Sequence, residues 1–461
     1  YNTSNKYFIR AFNGSKIRIE GSEISYAGPE FGTNGDHSGL WINTEKATIV
    51  GTYIHHNWHG IYIYKGNNTL ISSCRIDNNT YTGIITNNAI NITIESSNIT
   101  NNGKYGTFLS HSNNCTIHNN TIQNNGDYGI YLVSSGNNTI YGNTIQSNDY
   151  GIVLSSSDNN NIYGNIIQNN NHDGIYLWYS DNNTIYGNTI QNNKAYGIDF
   201  WYSDNNTIYG NTIQNNNWDG IFFRSAVFRP SGNNTIYGNT IQNNNWHGIH
   251  LYSSVYNIII YNNIIRDNGG DGICVDSSNS NKVYGNTIVN NDRGVYVYSS
   301  SNCQIYNNTV ISNAGGIYLA SSSSNTIQYN LVNDTTVNGI KLSSSNNNLI
   351  AYNIIINSQQ YGIAIYSSTG NIIYLNDITD PPYDDSTDNT YDNGTYGNYW
   401  GIKGPDQNRD WIIDTPYTIN ATTGTKDNKP LFYPMEAFLY PEEDFDDDYL
   451  NNGEERNYGT N

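Results

Sequence analysis

Charge is scarce in this chain. Asp, Glu, Lys and Arg make up 13% of its 461 residues, about half the usual share, so amides and hydroxyls rather than ions solvate the surface. There are 20 Lys and Arg against 39 Asp and Glu, a net charge of −19, and no basic stripe. That excludes a nucleic-acid partner. No apolar run approaches the roughly 18–20 residues that a membrane span needs. No signal peptide opens the sequence, and the start Tyr1-Asn2-Thr3 reads as that of a processed mature chain. With a single Met and nine His in no cluster, copper, which wants soft or imidazole ligands, is excluded. The four cysteines, Cys74, Cys115, Cys274 and Cys303, show neither CxxC spacing nor a metal-site pattern. Cys115 and Cys303 share a column of the repeat but lie roughly 38 Å apart at about 4.8 Å per coil, beyond disulfide reach. Buried free thiols acting as small apolar residues are expected, with intermolecular bridges as the alternative.

What the chain has is one coil, repeated. Asn182–Ser203 reads NNTIYGNTIQNNKAYGIDFWYS, and the next copy begins at Asn205. A Gly-Ile or Gly-Leu step recurs from Gly39 to Gly362 at spacings of 21–24 residues, except for 28 between Gly220 and Gly248. A period near 23 also suits a leucine-rich repeat. However, Leu is sparse, no helical periodicity appears, and each repeat holds two or three short alternating runs. In TIYGNTI, Ile140 and Ile145 point inward while Thr139 and Tyr141 point out. Short Ile-rich strands broken by Asn, Gly and Ser predict a single all-β, right-handed parallel β-helix of about fifteen coils.

One Asn per coil, from Asn120 through Asn143, Asn165 and Asn188 to Asn376, falls at one corner. Asn tolerates left-handed backbone angles, and stacked amides can donate and accept along the column, so a structural ladder is predicted. The organisation expected is an N-terminal cap over 1–38, the β-helix over 39–376, a C-terminal cap over 377–435 and an acidic tail over 436–461. Solenoids need caps because open ends expose apolar surface and strand edges. Between Gly220 and Gly248, the stretch IFFRSAVFRPSGNN inserts about five residues with Arg224, Arg229 and Pro230. Such insertions emerge as loops, often on the binding side.

These coils resemble the right-handed parallel β-helix repeat proteins, in the branch of NosD-like and carbohydrate-binding or sugar-hydrolase repeats. The resemblance covers about residues 39–435. The stretch 396–434, with its NYW, D-x-N-x-D…DTPY and DN-x-PL elements, is similar to the C-terminal cap of NosD-like proteins, except that Trp411 stands where a Gly commonly follows the third acidic position. The family mixes lyases, hydrolases, epimerases and non-enzymes, so the resemblance specifies fold and not activity.

Candidate sites are few. Asp444, Asp446, Asp448, the Leu450 carbonyl, Asn452 and Glu455 occupy positions 1, 3, 5, 7, 9 and 12 of a calcium loop, without its central Gly. Asp406, Asn408, Asp410 and Asp414 form a shorter candidate lacking the bidentate carboxylate. Calcium in either would be structural; an acidic tail and a turn network are the alternatives. The column before each repeat Gly reads Asp173, Tyr196, Asp219, His247, Asp271 and Arg293. If the chain is an enzyme, Asp219, His247 and Asp271 are its catalytic candidates, since two carboxylates two coils apart, about 9–10 Å, suit an inverting glycosidase. The rival is alternating charge along a solvated edge. Only His247-Gly248 echoes a polygalacturonase motif, and neither a pectate-lyase set nor the DPHE tetrad of mannuronan epimerases occurs.

Aromatics are abundant, with 42 Tyr and 8 Trp. Tyr141, Tyr163, Tyr186, Tyr209, Tyr237, Tyr261, Tyr284 and Tyr306 each follow an inward Ile or Val and so form an outward stripe. Stacked rings can stabilise the sheet by themselves, pack against another copy, or bind glycans. Asn-x-Thr/Ser sequons, at Asn2, Asn13, Asn67, Asn91 and Asn98 among others, suit a secreted glycoprotein, although repetition alone generates them. The reading favoured by sequence is a non-enzymatic, extracellular structural protein of a prokaryotic cell surface, archaeal hosts included, that self-assembles into a filament, sheath or layer. The alternative is an extracellular carbohydrate-active β-helix protein: a polysaccharide binder, lyase or hydrolase. A calcium-dependent adhesin comes third.

Overall fold

The computed structural model describes residues 9–27, 38–226 and 228–435. The chain is a right-handed parallel β-helix of about fifteen turns, and its described residues contain strands and no helix. Among the described residues no helix is long and apolar enough to cross a membrane. The chain divides into two compact units, Tyr1–Trp246 and His247–Asn461.

In the first unit every coil contributes one strand to each of three parallel sheets. Successive strands pair in register, as Ile175↔Ile198↔Ile221 in the first sheet, Tyr163↔Tyr186↔Tyr209 in the second and Gln168↔Gln191↔Gln214 in the third. Residues 9–25 already follow this scheme, pairing Ile9↔Leu40, Lys16↔Lys46 and Glu23↔Tyr53. Alternation sets the core. In Ile198–Trp201 the side chains of Ile198 and Phe200 point inward and are fully buried, as are Ile185 and Ile190 of the same turn. Each such side chain contributes roughly 1.5–3 kcal/mol. At the first sheet's entrance the chains pack too closely for a side chain: a Cβ on Gly197 would lie 2.5 Å from the Gly220 carbonyl oxygen.

Corners are closed by buried amide ladders. Asn143 donates from Nδ2 to Asn165 Oδ1 at 2.9 Å, Asn165 to Asn188 at 3.0 Å and Asn188 to Asn211 at 3.0 Å. The backbone N–H of each rung donates to the same oxygen, and its Nδ2 also reaches a carbonyl of the preceding coil. The left-handed residue is not the ladder Asn, however. It is the residue just before: Asn119 at φ 55°, then Gly142, Gly164 and Gly187 at φ 61–64°. The ladder Asn has to aim its side chain inward, so the turn itself falls to its neighbour, where Gly costs no strain. Two further ladders were not anticipated. Asn79, Asn102, Asn125, Asn148 and Asn170 form one, and Asn160, Asn183, Asn206 and Asn234 lie along the other.

The second unit repeats the coil. Its ladder Asn263–Asn286–Asn308–Asn330–Asn353–Asn376 runs on to Asn398 in the C-terminal segment. Because every rung donates in the same direction, the last one needs an acceptor with no N–H of its own. Asp427 Oδ2 takes that place, 2.7 Å from the Asn398 amide nitrogen. In the same unit two more aspartates act as acceptors: Asp384 takes the Asn389 side-chain amide and Asp380 the Ser358 N–H. In the 406–414 loop, Trp411 adopts φ +67° and is buried, so it takes the left-handed turn itself. All four cysteines are free and buried.

Candidate functional site

Outward positions of a half-buried sheet are where polar groups meet water. Asp199 breaks that rule. It occupies the outward position of Ile198–Trp201, in register between Tyr176 and Phe222, yet it is 0% exposed. The Arg224 guanidinium, at the start of the insertion, covers it and donates from Nη2 to Asp199 Oδ2 at 2.6 Å. Arg224 also lies over the Trp201 ring, 4.5 Å from its centroid. Asp199 Oδ1 and Arg224 Nε are buried without a hydrogen-bond partner among the described residues.

Asp173 and Asp219 join this site. They lie two coils apart in one column, with Tyr196 between them, and are 5% and 1% exposed. This column is therefore not the solvated charged edge that its alternating sequence suggested. Aromatic rings pack together beside it, Tyr150 against Tyr176 at 6.2 Å. Tyr196 stacks on Phe222 at 4.6 Å and meets Trp218 edge-on at 4.8 Å. Burial pushes the Asp173 carboxyl up to about 7, opposed by the Tyr196 N–H that it accepts and by Arg224. Asp199 is raised well above the usual carboxylate range by burial first and by the neighbouring Asp173 charge second, against Arg224. Tyr176 and Tyr196 are raised by the same two causes, burial and aspartate charge. Burial thus favours the neutral form of both carboxyls, and the Arg224 charge opposes it. Around it stand Trp178 and Trp218, 40% and 45% exposed. Trp178 is in register with Trp201, and their rings pack on Tyr179 and Tyr202. The insertion forms a tight turn through Ala226 and Arg229, whose guanidinium lies 4.1 Å from the Tyr179 ring centroid.

Of the three catalytic candidates read from sequence, Asp219 belongs to the first unit and His247 and Asp271 to the second. In the second unit, His247 Nδ1 accepts the Asp271 N–H at 2.8 Å and lies 3.3 Å from Asp271 Oδ2. Asp271 is buried, and Arg293 holds both its oxygens, from Nε at 2.6 Å and Nη2 at 3.1 Å. Cys274 completes a His247–Asp271–Cys274 group with metal-ligand atoms within 4.8 Å of one another. With Asp271 neutralised by Arg293 and His247 Nδ1 already accepting an N–H, this group does not fit a cation. The sequence pointed to the insertion that carries Arg224 but did not single out Asp199.

The stripe tyrosines lie on the second sheet and stack on one another. Tyr163–Tyr186, Tyr186–Tyr209 and Tyr284–Tyr306 have ring centroids 4.8–4.9 Å apart and interplanar angles of 14° or less. Tyr141 and Tyr237 continue the stack in the first unit, as Tyr261 does in the second. Their exposure is intermediate because each ring covers the next. In the C-terminal segment, Asp406, Asn408, Asp410 and Asp414 come together, but on backbone amides. Asp406 accepts from the Trp411 N–H, Asp410 from that of Ile412 and Asp414 from that of Gln407. The loop candidate at Asp444–Glu455, like Asn2, lies outside the described residues. Among the sequons, Asn13, Asn91 and Asn98 are exposed, whereas Asn67 is half-buried and accepts the Ile90 N–H.

Three solved structures illustrate the chain's likenesses. A single-substitution mutant of the periplasmic alginate epimerase AlgG is 18% identical, with 60% of this chain and 74% of that one covered and a TM-score of 0.47. The A-module of the mannuronan C-5 epimerase AlgE4 from Azotobacter vinelandii is 13% identical, covering 71% and 86%, with a TM-score of 0.44. The Dettilon tailspike protein is 16% identical, covering 71% and 61%, with a TM-score of 0.43. No curated protein matches the chain. The family model described as the right-handed β-helix region matches residues 2–145, 108–229, 135–288 and 225–378. With parallel three-sheet coils over the same residues, the chain belongs to the right-handed β-helix family.

Proposed function

We propose that this chain is an extracellular carbohydrate-active protein that lays a polysaccharide along the first sheet of its N-terminal unit and hydrolyses it there. The observation that carries this reading is Asp199, a carboxyl buried at an outward position, where core packing gains nothing from it. Burying such a group costs several kcal/mol unless it is compensated. The fold supplies one arginine and leaves one carboxylate oxygen unpartnered, which suits a working group better than a structural one. The exposed Trp178 and Trp218 offer apolar faces for sugar rings. Asp199 would hold the proton given to the leaving oxygen. Asp173 or Asp219 would activate the water, and Arg224 would swing aside or bind the chain. The self-assembling reading has less support, because the tyrosines invoked for packing against other copies already stack on themselves.

The test is a panel of neutral and acidic polysaccharides, scored for affinity retardation and for released reducing ends. Asp199→Asn should abolish cleavage and keep binding, while Trp218→Ala should weaken binding. A native chain that neither binds nor cleaves any of them, and that forms filaments under negative stain, overturns the reading.

A further inference from the structure

The first-sheet face of the C-terminal unit has a missing side chain. Arg293, Gly315 and Asn338 are register neighbours in one outward column, and Tyr296, Tyr318 and Lys341 form the next. Gly315 leaves a notch between Arg293 and Asn338, two coil steps or about 9–10 Å apart. The notch is a cavity of about 290 Å³ lined by Asp292, Arg293, Gly315, Tyr318, Asn338 and Lys341. That is the lower end of ligand-pocket sizes, roughly 300–1,000 Å³, and suits one sugar residue.

Its polar groups are not all used. Asn338 is 4% exposed and its Oδ1 has no hydrogen-bond partner. Such an orphan acceptor costs roughly 1–3 kcal/mol. Arg293 is held by Asp271 and flanked by Asp292, with its guanidinium 3.5 Å from the Tyr296 ring centroid. Lys341 has no carboxylate partner among the described residues. Its Nζ rests over two ring faces, 4.9 Å from Tyr318 and 5.0 Å from Tyr366. Lys341 is therefore the cation left for a ligand.

We infer that this notch binds a single acidic sugar residue. The ring fills the space that Gly315 leaves, the carboxylate takes the Lys341 ammonium, and a hydroxyl donates to Asn338 Oδ1. This shares sugar chemistry with the preceding reading but uses different residues and requires no cleavage.

Saturation-transfer NMR with glucuronic acid and with glucose, on the full chain, tests it. The native chain should bind glucuronic acid more tightly than glucose. Lys341→Met should weaken glucuronic acid roughly tenfold, the loss of one charge-assisted hydrogen bond, and leave glucose unchanged. Gly315→Tyr restores the side chain that other coils carry and should abolish both. Its Cβ would lie 3.2 Å from the Arg293 Cγ, a contact that the flexible arginine can relieve. Trp218→Ala, expected to weaken polysaccharide binding in the N-terminal unit, should leave this binding intact, which separates the two proposals. Equal affinity for the two sugars, or glucuronic acid binding unchanged in folded Lys341→Met and Gly315→Tyr proteins, overturns the inference.

Discussion

The ladder terminus at Asp427 gives the sharpest stability test. Asn353, Asn376 and Asn398 each donate toward the C-terminus, and Asp427 receives the last donation. It also accepts the Trp400 indole N–H at 2.9 Å and the Lys429 N–H at 2.9 Å. Asp427→Ala leaves three donors unpaired, those of Asn398 and Trp400 buried and that of Lys429 half-buried, at roughly 1–3 kcal/mol each. Against this stands the cost of the carboxylate itself. Burial pushes Asp427 up to about 6 from 3.8, which makes its ionised form about 3 kcal/mol less favourable than in the unfolded chain. A carboxyl raised on folding contributes stability below its unfolded pKa and loses it as pH rises through the folded value. The net loss in Asp427→Ala should therefore be about 3 kcal/mol at pH 7 and larger, by up to about 3 kcal/mol, at pH 4. Urea unfolding of the full chain at both pH values, followed by circular dichroism and tryptophan fluorescence, measures this. A loss below about 0.5 kcal/mol at both, or one that shrinks on acidification, would refute the terminus argument.

Two further outcomes follow from the coil. Gly197→Ala, whose Cβ would meet the Gly220 carbonyl oxygen and Ile213 Cγ2 at 2.5 Å, should destabilise by about 1–3 kcal/mol or more, seen as a lower thermal midpoint; an unchanged midpoint contradicts the close approach. Asp173, pushed up to about 7, together with Asp199, Asp271 and Asp384, all raised by burial, should make the chain more heat-resistant as pH falls from 8 to 5. A melting curve that is flat or declines over that range would count against those carboxyls being buried as described.

The coil was legible because repetition multiplies a weak local signal. One Ile-x-Ile run is ambiguous, but Ile140, Ile162, Ile185 and Ile208 at a fixed period leave one architecture that can bury them all. The ladder Asn were legible for the same reason. Their geometry was not, because the left-handed turn and the inward amide are adjacent residues, and sequence does not divide the two tasks. Asp199 was illegible for a different cause. Alternation assigns the Asp of IDFW to solvent, and only the register shows that the next coil's IFFR brings Arg224 diagonally across it. The usable signal was the pair of bulky outward neighbours, Tyr176 and Phe222, which can roof a small side chain between them. The same logic separates the two outward surfaces. On the second sheet, coil after coil repeats Tyr, so the rings satisfy one another and nothing is left over. On the first sheet two outward columns change from coil to coil, one from Tyr176 to Asp199 to Phe222 and another from Arg293 to Gly315 to Asn338. Where a solenoid stops repeating, its side chains cannot ladder, and their unspent hydrogen bonds and charges face outward. That places both proposed sugar sites on the first sheet, at the coils where the repeat is least regular.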